Sequence, residues 1–139
     1  MARILAIDYG RKRAGVAVTD PLQIIANSLT TVKSHDLIEF LDHYFAVEDV
    51  DTIVVGYPKQ MNNMPSEAVV YIDAFLKKIK KRWPEKKVVL EDERFTSKMA
   101  FQTMIDGGVK KKDRMNKAMV DAISATIILQ SYMASVKIR

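Results

Sequence analysis

Three acidic sites stand where carboxylates are costly. Asp8 closes Ile4-Leu5-Ala6-Ile7, a short and strongly apolar run. Asp121 lies in the middle of the apolar stretch 116–135 and is the only acid after Asp113. Its neighbours at helical spacing, Ala118, Ser124 and Ala125, are all small, which leaves room for something to approach. Glu91-Asp92-Glu93 follows the run Val88-Val89-Leu90. An ionised carboxylate is expensive to bury without a partner. For Asp8, in an Asp-x-Gly step, a turn is the competing role. For Asp121 the partner is Lys117, an arginine or a cation. For the triplet the alternative is a solvated strand end followed by a helix cap. Adjacent strand residues face opposite sides, so either Asp92 or the Glu91/Glu93 pair can share the side of Asp8.

Strand ends and a helix middle can converge at one edge of a sheet. Carboxylates gathered there repel, and hard divalent cations with oxygen ligands, Mg²⁺ or Mn²⁺, relieve them. Two such ions about 4 Å apart stabilise both the attacking water and the leaving oxygen of a phosphodiester. The only histidines, His35 and His43, are far in sequence from these acids, and there is no cysteine. A histidine triad, a zinc site, a cysteine nucleophile and a disulfide scaffold are therefore not expected.

The charge distribution points to a polyanion. The chain carries a net +5, yet segments Lys77–Lys87 and Gly107–Lys117 together hold 12 basic and 2 acidic residues, leaving −5 elsewhere. A basic surface set against an acidic remainder is the footprint of a protein that grips phosphates. The competing reading of Lys77–Arg82 is a solvated helix face. Lys110, Lys111 and Lys112, after Gly107-Gly108, read as a loop and are better placed for nucleic acid. Arg11, Lys12 and Arg13 lie in a turn directly beside Asp8 and are expected to contact the scissile strand.

The elements that must position these groups follow from periodicity. At 139 residues, with 48% hydrophobic and 28% charged residues, the chain is expected to form one domain over 1–139. No stretch is long and apolar enough for a membrane span, and Ile4–Ile7 is too short for a signal-peptide core, so a cytoplasmic address is expected. Ile4–Asp8, Ala14–Val18 and Ile24–Val32 read as three strands of an antiparallel meander. Ser34 is a candidate cap for an amphipathic helix over Asp36–Phe45. Thr52–Gly56 reads as a buried strand, and Ser66 caps a long helix that Pro84 stops. Val88–Leu90 is a short strand. Thr96 or Ser97 opens a short helix through Ile105, and a buried helix runs from about Asn116 to Ser135. The order β-β-β-α-β-α-β-α-α predicts an α/β fold, a mixed sheet of about five strands with helices on both faces.

With these residues in hand, Ile7-Asp8-Tyr9-Gly10, Arg13-Ala14-Gly15-Val16-Ala17-Val18 and Asp20 closely resemble the YqgF (RuvX) family. So do Val54-Val55-Gly56-Tyr57-Pro58, Asp92-Glu93-Arg94-Phe95-Thr96-Ser97, and Val120-Asp121-Ala122 followed by Ile127-Ile128-Leu129-Gln130. The resemblance implies a ribonuclease H-like fold related to the resolvase RuvC. It also implies a bacterial cytoplasmic nuclease that matures the 5′ end of the small-subunit ribosomal RNA precursor. Older descriptions call the family Holliday-junction resolvases. Carried over by position, the family's acidic triad falls on Asp8, Glu93 and Asp121 as catalytic metal ligands, with Asp92 in reserve for Glu93. Two departures stand out. Met61-Asn62-Asn63 replaces the family's Met-Asp-Gly, losing a carboxylate and a glycine, and Phe95 and Ser97 replace the usual Leu and Thr.

The expectation is thus a Mg²⁺- or Mn²⁺-dependent endonuclease on structured RNA, as a monomer or homodimer. Its rivals are a resolvase of four-way DNA junctions and a non-catalytic RNA-binding assembly factor. A nucleotide phosphotransferase of the actin or hexokinase kind needs two such domains, and 139 residues supply one.

Overall fold

A run of small and branched apolar residues has no polar face to turn to water, so it forms a strand covered on both sides. In a computed structural model, which describes residues 2–57, 67–92 and 117–137, that run is the central strand β1, Arg3–Tyr9. Leu5 and Ile7 point into one core layer and Ile4 and Ala6 into the other. Beside it lie β2 (Arg13–Thr19) and β3 (Ala26–Lys33), both antiparallel. On its other side β4 (Val50–Tyr57) and β5 (Lys87–Asp92) run parallel to it. The sheet order is β3-β2-β1-β4-β5. This is the mixed five-stranded sheet expected.

Helices cover both faces. α1 (Leu37–Val47) and α2 (Glu67–Arg82) bury Leu37, Leu41, Ile72, Phe75, Leu76 and Ile79 against Leu5, Ile7, Val16, Ile53 and Val55. α3 (Lys117–Lys137) lies on the opposite face, the one helix described there, with Ala125, Ile128, Leu129 and Met133 against Ile4, Ala6, Ala17 and Val54. Each fully buried Leu or Ile contributes about 1.5–3 kcal/mol. Among the described residues no helix is long and apolar enough to cross a membrane.

Two expectations are corrected. The third strand starts at Ala26, not Ile24, because Asp20 captures the intervening backbone: its Oδ1 accepts from the Ile24 and Ile25 N–H groups at 2.8 and 2.7 Å, and its Oδ2 from Leu22 at 3.1 Å. Ser34 does not cap α1. Its hydroxyl donates to the Gly10 carbonyl at 2.6 Å and its N–H to the Lys12 carbonyl at 3.0 Å. The chain makes a 3₁₀ turn over Ser34–Asp36, and α1 begins after Asp36 with no side-chain cap bond. The other described strands and helices lie within a few residues of their expected bounds. Ser66 and the short helix expected to run through Ile105 lie outside the described residues.

The backbone N–H of Ile25 and then those of Ile24 and Leu22 hold the Asp20 carboxyl below its ordinary value of 3.8. A depressed carboxyl favours the folded turn above the unfolded value and loses that contribution as pH falls through the folded one. Carbon-detected NMR titration of Asp20 should therefore give a midpoint below 3.8, and a midpoint at or above it would contradict the turn as described.

Candidate functional site

The hairpin between β1 and β2 sets the site. The Gly10 N–H donates to the Arg13 carbonyl at 2.9 Å, which leaves Arg11 and Lys12 exposed at the tip. The register then places Asp8 directly opposite Gly15. Side chains of directly opposed residues share a face, and here it is the face covered by α3, as the positions of Ala6 and Ala17 show.

Gly15 is where strand and helix meet. A Cβ there would stand 2.0 Å from the Asp121 carbonyl oxygen and 2.9 Å from the Ala122 nitrogen. Only a residue without a side chain lets α3 sit this close, so the glycine brings the Asp121 backbone over the strand beside Asp8. The Asp121 side chain is 22% exposed, and its Oδ2 accepts from Arg13 Nε at 2.7 Å. Of the partners considered for Asp121, the structure supplies the arginine.

Other parts of the same edge carry aromatic rings. Tyr9, one residue on from Asp8, faces the opposite layer and stacks on Phe75 with ring centres 4.4 Å apart. Burial raises its phenol pKa. The Tyr57 hydroxyl donates to Asp73 at 3.1 Å, and burial followed by that carboxylate raises its pKa as well. Arg11 lies over the Tyr71 ring, 5.4 Å from its centre.

The α3 face also settles a parity question. Val89 packs into the α3 layer, and Glu91 Oε1 accepts from the Ser131 hydroxyl at 2.8 Å, so the Glu91 side of β5 is the Asp8 side. Ser131 is ten residues beyond Asp121, about 15 Å along the helix, so Glu91 is held away from the Asp8–Asp121 pair. Glu93 and Lys110, Lys111 and Lys112 lie outside the described residues, as do Met61-Asn62-Asn63. His35 and His43 are exposed beside Asp36 and Glu39. Among the described residues no three metal-binding side chains form a cluster.

The structure therefore gathers Asp8, Asp121 and Arg13 at one edge, with Arg11 and Lys12 at its rim. The donor set is carboxylate oxygen alone, which suits a hard divalent ion and not a soft one. Gly15 is the packing position on which this placement turns. A glycine inside an otherwise apolar strand is itself a signal of close backbone approach.

A family model described as "RuvX: Holliday junction resolvase" matches residues 2–135. The chain belongs to this family. Within the RuvX set it is similar to the "Putative pre-16S rRNA nuclease" of Phocaeicola vulgatus, 61% identical over 137 residues and covering 99% of both chains. The protein of the same name from Bacteroides thetaiotaomicron is 58% identical over 135 residues, 97% of this chain and 98% of its own. Among solved structures, Thermus thermophilus RuvC in complex with a Holliday junction substrate superposes with a TM-score of 0.56 at 16% identity, covering 97% and 98% of the two chains. A second Thermus thermophilus RuvC structure gives 0.55 at 16% identity. The RuvX chain thus has the ribonuclease H-like fold.

Two measurements test this geometry. Gly15→Ala should lower stability by about 3 kcal/mol or more, at the upper end of overpacking costs, because the obstacle is helix backbone. That corresponds to a fall of about 10 °C in the melting temperature; an unchanged value would place α3 farther from β2. A double-mutant cycle of Arg13→Gln and Asp121→Asn should give a coupling of about 1 kcal/mol, the scale of a half-exposed charged pair. Zero coupling would remove Arg13 as the holder of Asp121.

Proposed function

We propose that this chain is a metal-dependent endonuclease that hydrolyses phosphodiester bonds in structured nucleic acid, with the 5′ end of pre-16S rRNA as its substrate. The observation that carries the reading is the placing of Asp8 and Asp121 on one face of the sheet across Gly15, beside a hairpin tip bearing Arg11 and Lys12. The RNA assignment is supported by relatives of nearly the same length that carry the pre-16S rRNA nuclease name.

Asp8, Glu93 and Asp121 are the proposed ligands of Mg²⁺ or Mn²⁺ and the proposed catalytic residues. Support for Glu93 over Asp92 comes from β5: Val89 and Glu91 share the α3 face, and the same two-residue alternation in the sequence leads to 93. A divalent ion held by these oxygens supplies positive charge to the attacking water and to the departing oxygen. The residues themselves bind and orient. Asp121 is steadied through Oδ2 by Arg13, and Asp8 is fixed by its place at the end of the central strand. Arg11, Lys12 and Lys110–Lys112 hold the phosphates flanking the cut, whereas Arg13 serves Asp121 first. The proposed setting is the cytoplasm, with a single domain over 1–139 acting as a monomer or a homodimer.

Asp8→Asn, Glu93→Gln and Asp121→Asn should each lower Mg²⁺- or Mn²⁺-dependent cleavage at least about 100-fold, the scale of removing one electrostatic stabiliser from a hydrolytic site. Each should also abolish the rise in melting temperature that Mn²⁺ gives the parent protein. Full activity of Asp8→Asn on nuclease-free RNA would end the proposal. A parent protein with no cation-dependent stabilisation would instead favour a non-catalytic RNA-binding module. Comparison of a pre-rRNA fragment with a four-way DNA junction separates the RNA reading from the resolvase one.

A further inference from the structure

The acidic edge does not account for the basic run on α2. This helix packs Ile72, Phe75, Leu76 and Ile79 on the sheet face opposite α3, so its outer side is separated from Asp121 by more than a helix diameter, about 10–12 Å. Its first turns lie at the Asp8 end of the sheet, where Phe75 meets Tyr9, Asp73 meets Tyr57 and Tyr71 meets Arg11. Its end lies at the opposite edge, where Trp83 meets Phe45 and Lys86 Nζ donates to the Val50 carbonyl. Between them Lys77, Lys78, Lys80 and Lys81 are all exposed.

Cations near a helix C-terminus complement its dipole, but that role does not explain five of them in six residues. Lys77 and Lys81, and Lys78 and Arg82, are like-charge pairs four residues apart, which weaken a helix. Of these five, only Arg82 has an acid partner among the described residues: Asp42, which it grips through two nitrogens. On α2 itself, the Asp73 carboxylate is engaged by Tyr57. Among the described residues, then, the four lysine charges face solvent or a ligand. Toward α1, Ile38, Lys78, Lys81 and Arg82 line a groove of about 400 Å³. Tyr71, seven residues before Lys78, falls on the same side of the helix, with Arg11 above it.

We infer that the α1–α2 groove is a second phosphate-binding track, which takes the flanking single strand of the substrate after it passes Asp8 and crosses Arg11 and Tyr71. The inference rests on the nuclease reading and adds where the uncut flank is held. A nucleic acid is favoured over an acidic protein because the cations of the hairpin tip beside Asp8 and those near the end of α2 flank Tyr71, a ring on which a base can stack.

The test uses full-length Asp8→Asn protein and fluorescence anisotropy with labelled RNA single strands of about 6 and about 20 nucleotides, bracketing common single-strand site sizes. In the parent the longer strand should bind about 10-fold or more tightly than the shorter. Adding Lys77→Gln, Lys78→Gln and Lys81→Gln should erase that gain and lower the salt slope of log K by about 2, from roughly 0.7 per lost contact. Affinity for the short strand should stay within about twofold, and the melting temperature should not fall, since like charges are removed. An undiminished gain and slope in the triple variant would overturn the track. So would loss of polyglutamate binding with RNA binding intact, which would mark a protein-docking surface. A parent that binds neither strand would instead bring down the nuclease reading, and the track with it.

Discussion

The close approach of β2 to α3 at Gly15 is the constraint on which the arrangement of the acids depends. The sheet face under α3 is lined by Ala6, Ala17 and Gly15 near the site, so the helix backbone can descend almost onto the strand. Small residues on α3 answer those on the sheet. With the helix at that depth, Asp121 is level with Asp8, and Arg13, two residues before the glycine, reaches it from the same strand. The spacing Arg13-x-Gly15 thus couples a steric permission to an electrostatic clamp: one residue admits the helix and the other holds its carboxylate.

The two sheet faces carry different work. Among the described residues, the α1–α2 layer holds the larger side chains, including Phe75, Trp83, Leu37 and Ile79, and more of the buried hydrophobic residues. The α3 layer, built on small residues near the site, has Asp8 and Asp121 at its margin. Asp8 and Tyr9, adjacent in sequence, fall on opposite faces because strand side chains alternate. One step along β1 therefore separates the proposed chemistry from a stacked aromatic pair that anchors the same strand end to α2.

Much of this was legible in the sequence. Unbroken apolar runs announced the central strands, and the stripes of α1 and α2 announced which sides they bury. The resolved strands also decide what periodicity alone left open, since the Glu91–Ser131 contact fixes which side of β5 faces α3. What escaped was set by short-range polar competition. Ile24 and Ile25 have strand-forming side chains, but Asp20 offers their N–H groups a nearer acceptor. Ser34 is a good cap by type, but a carbonyl in the neighbouring hairpin claims its hydroxyl. Gly15 escaped because its significance lies in a residue 106 positions away, a pairing that no local pattern encodes.

That separation in the chain has an effect on biogenesis. Proteins are made from the amino terminus onward, so the strand bearing Asp8 emerges early, whereas α3 is the last element described in the chain. Until α3 docks, Asp8 faces no Asp121, Arg13 has no carboxylate to hold, and Ala6 and Ala17 lack their cover. The acidic edge therefore stays unassembled in a nascent chain until Asp121, more than a hundred residues beyond Asp8, has emerged and α3 has docked on β2.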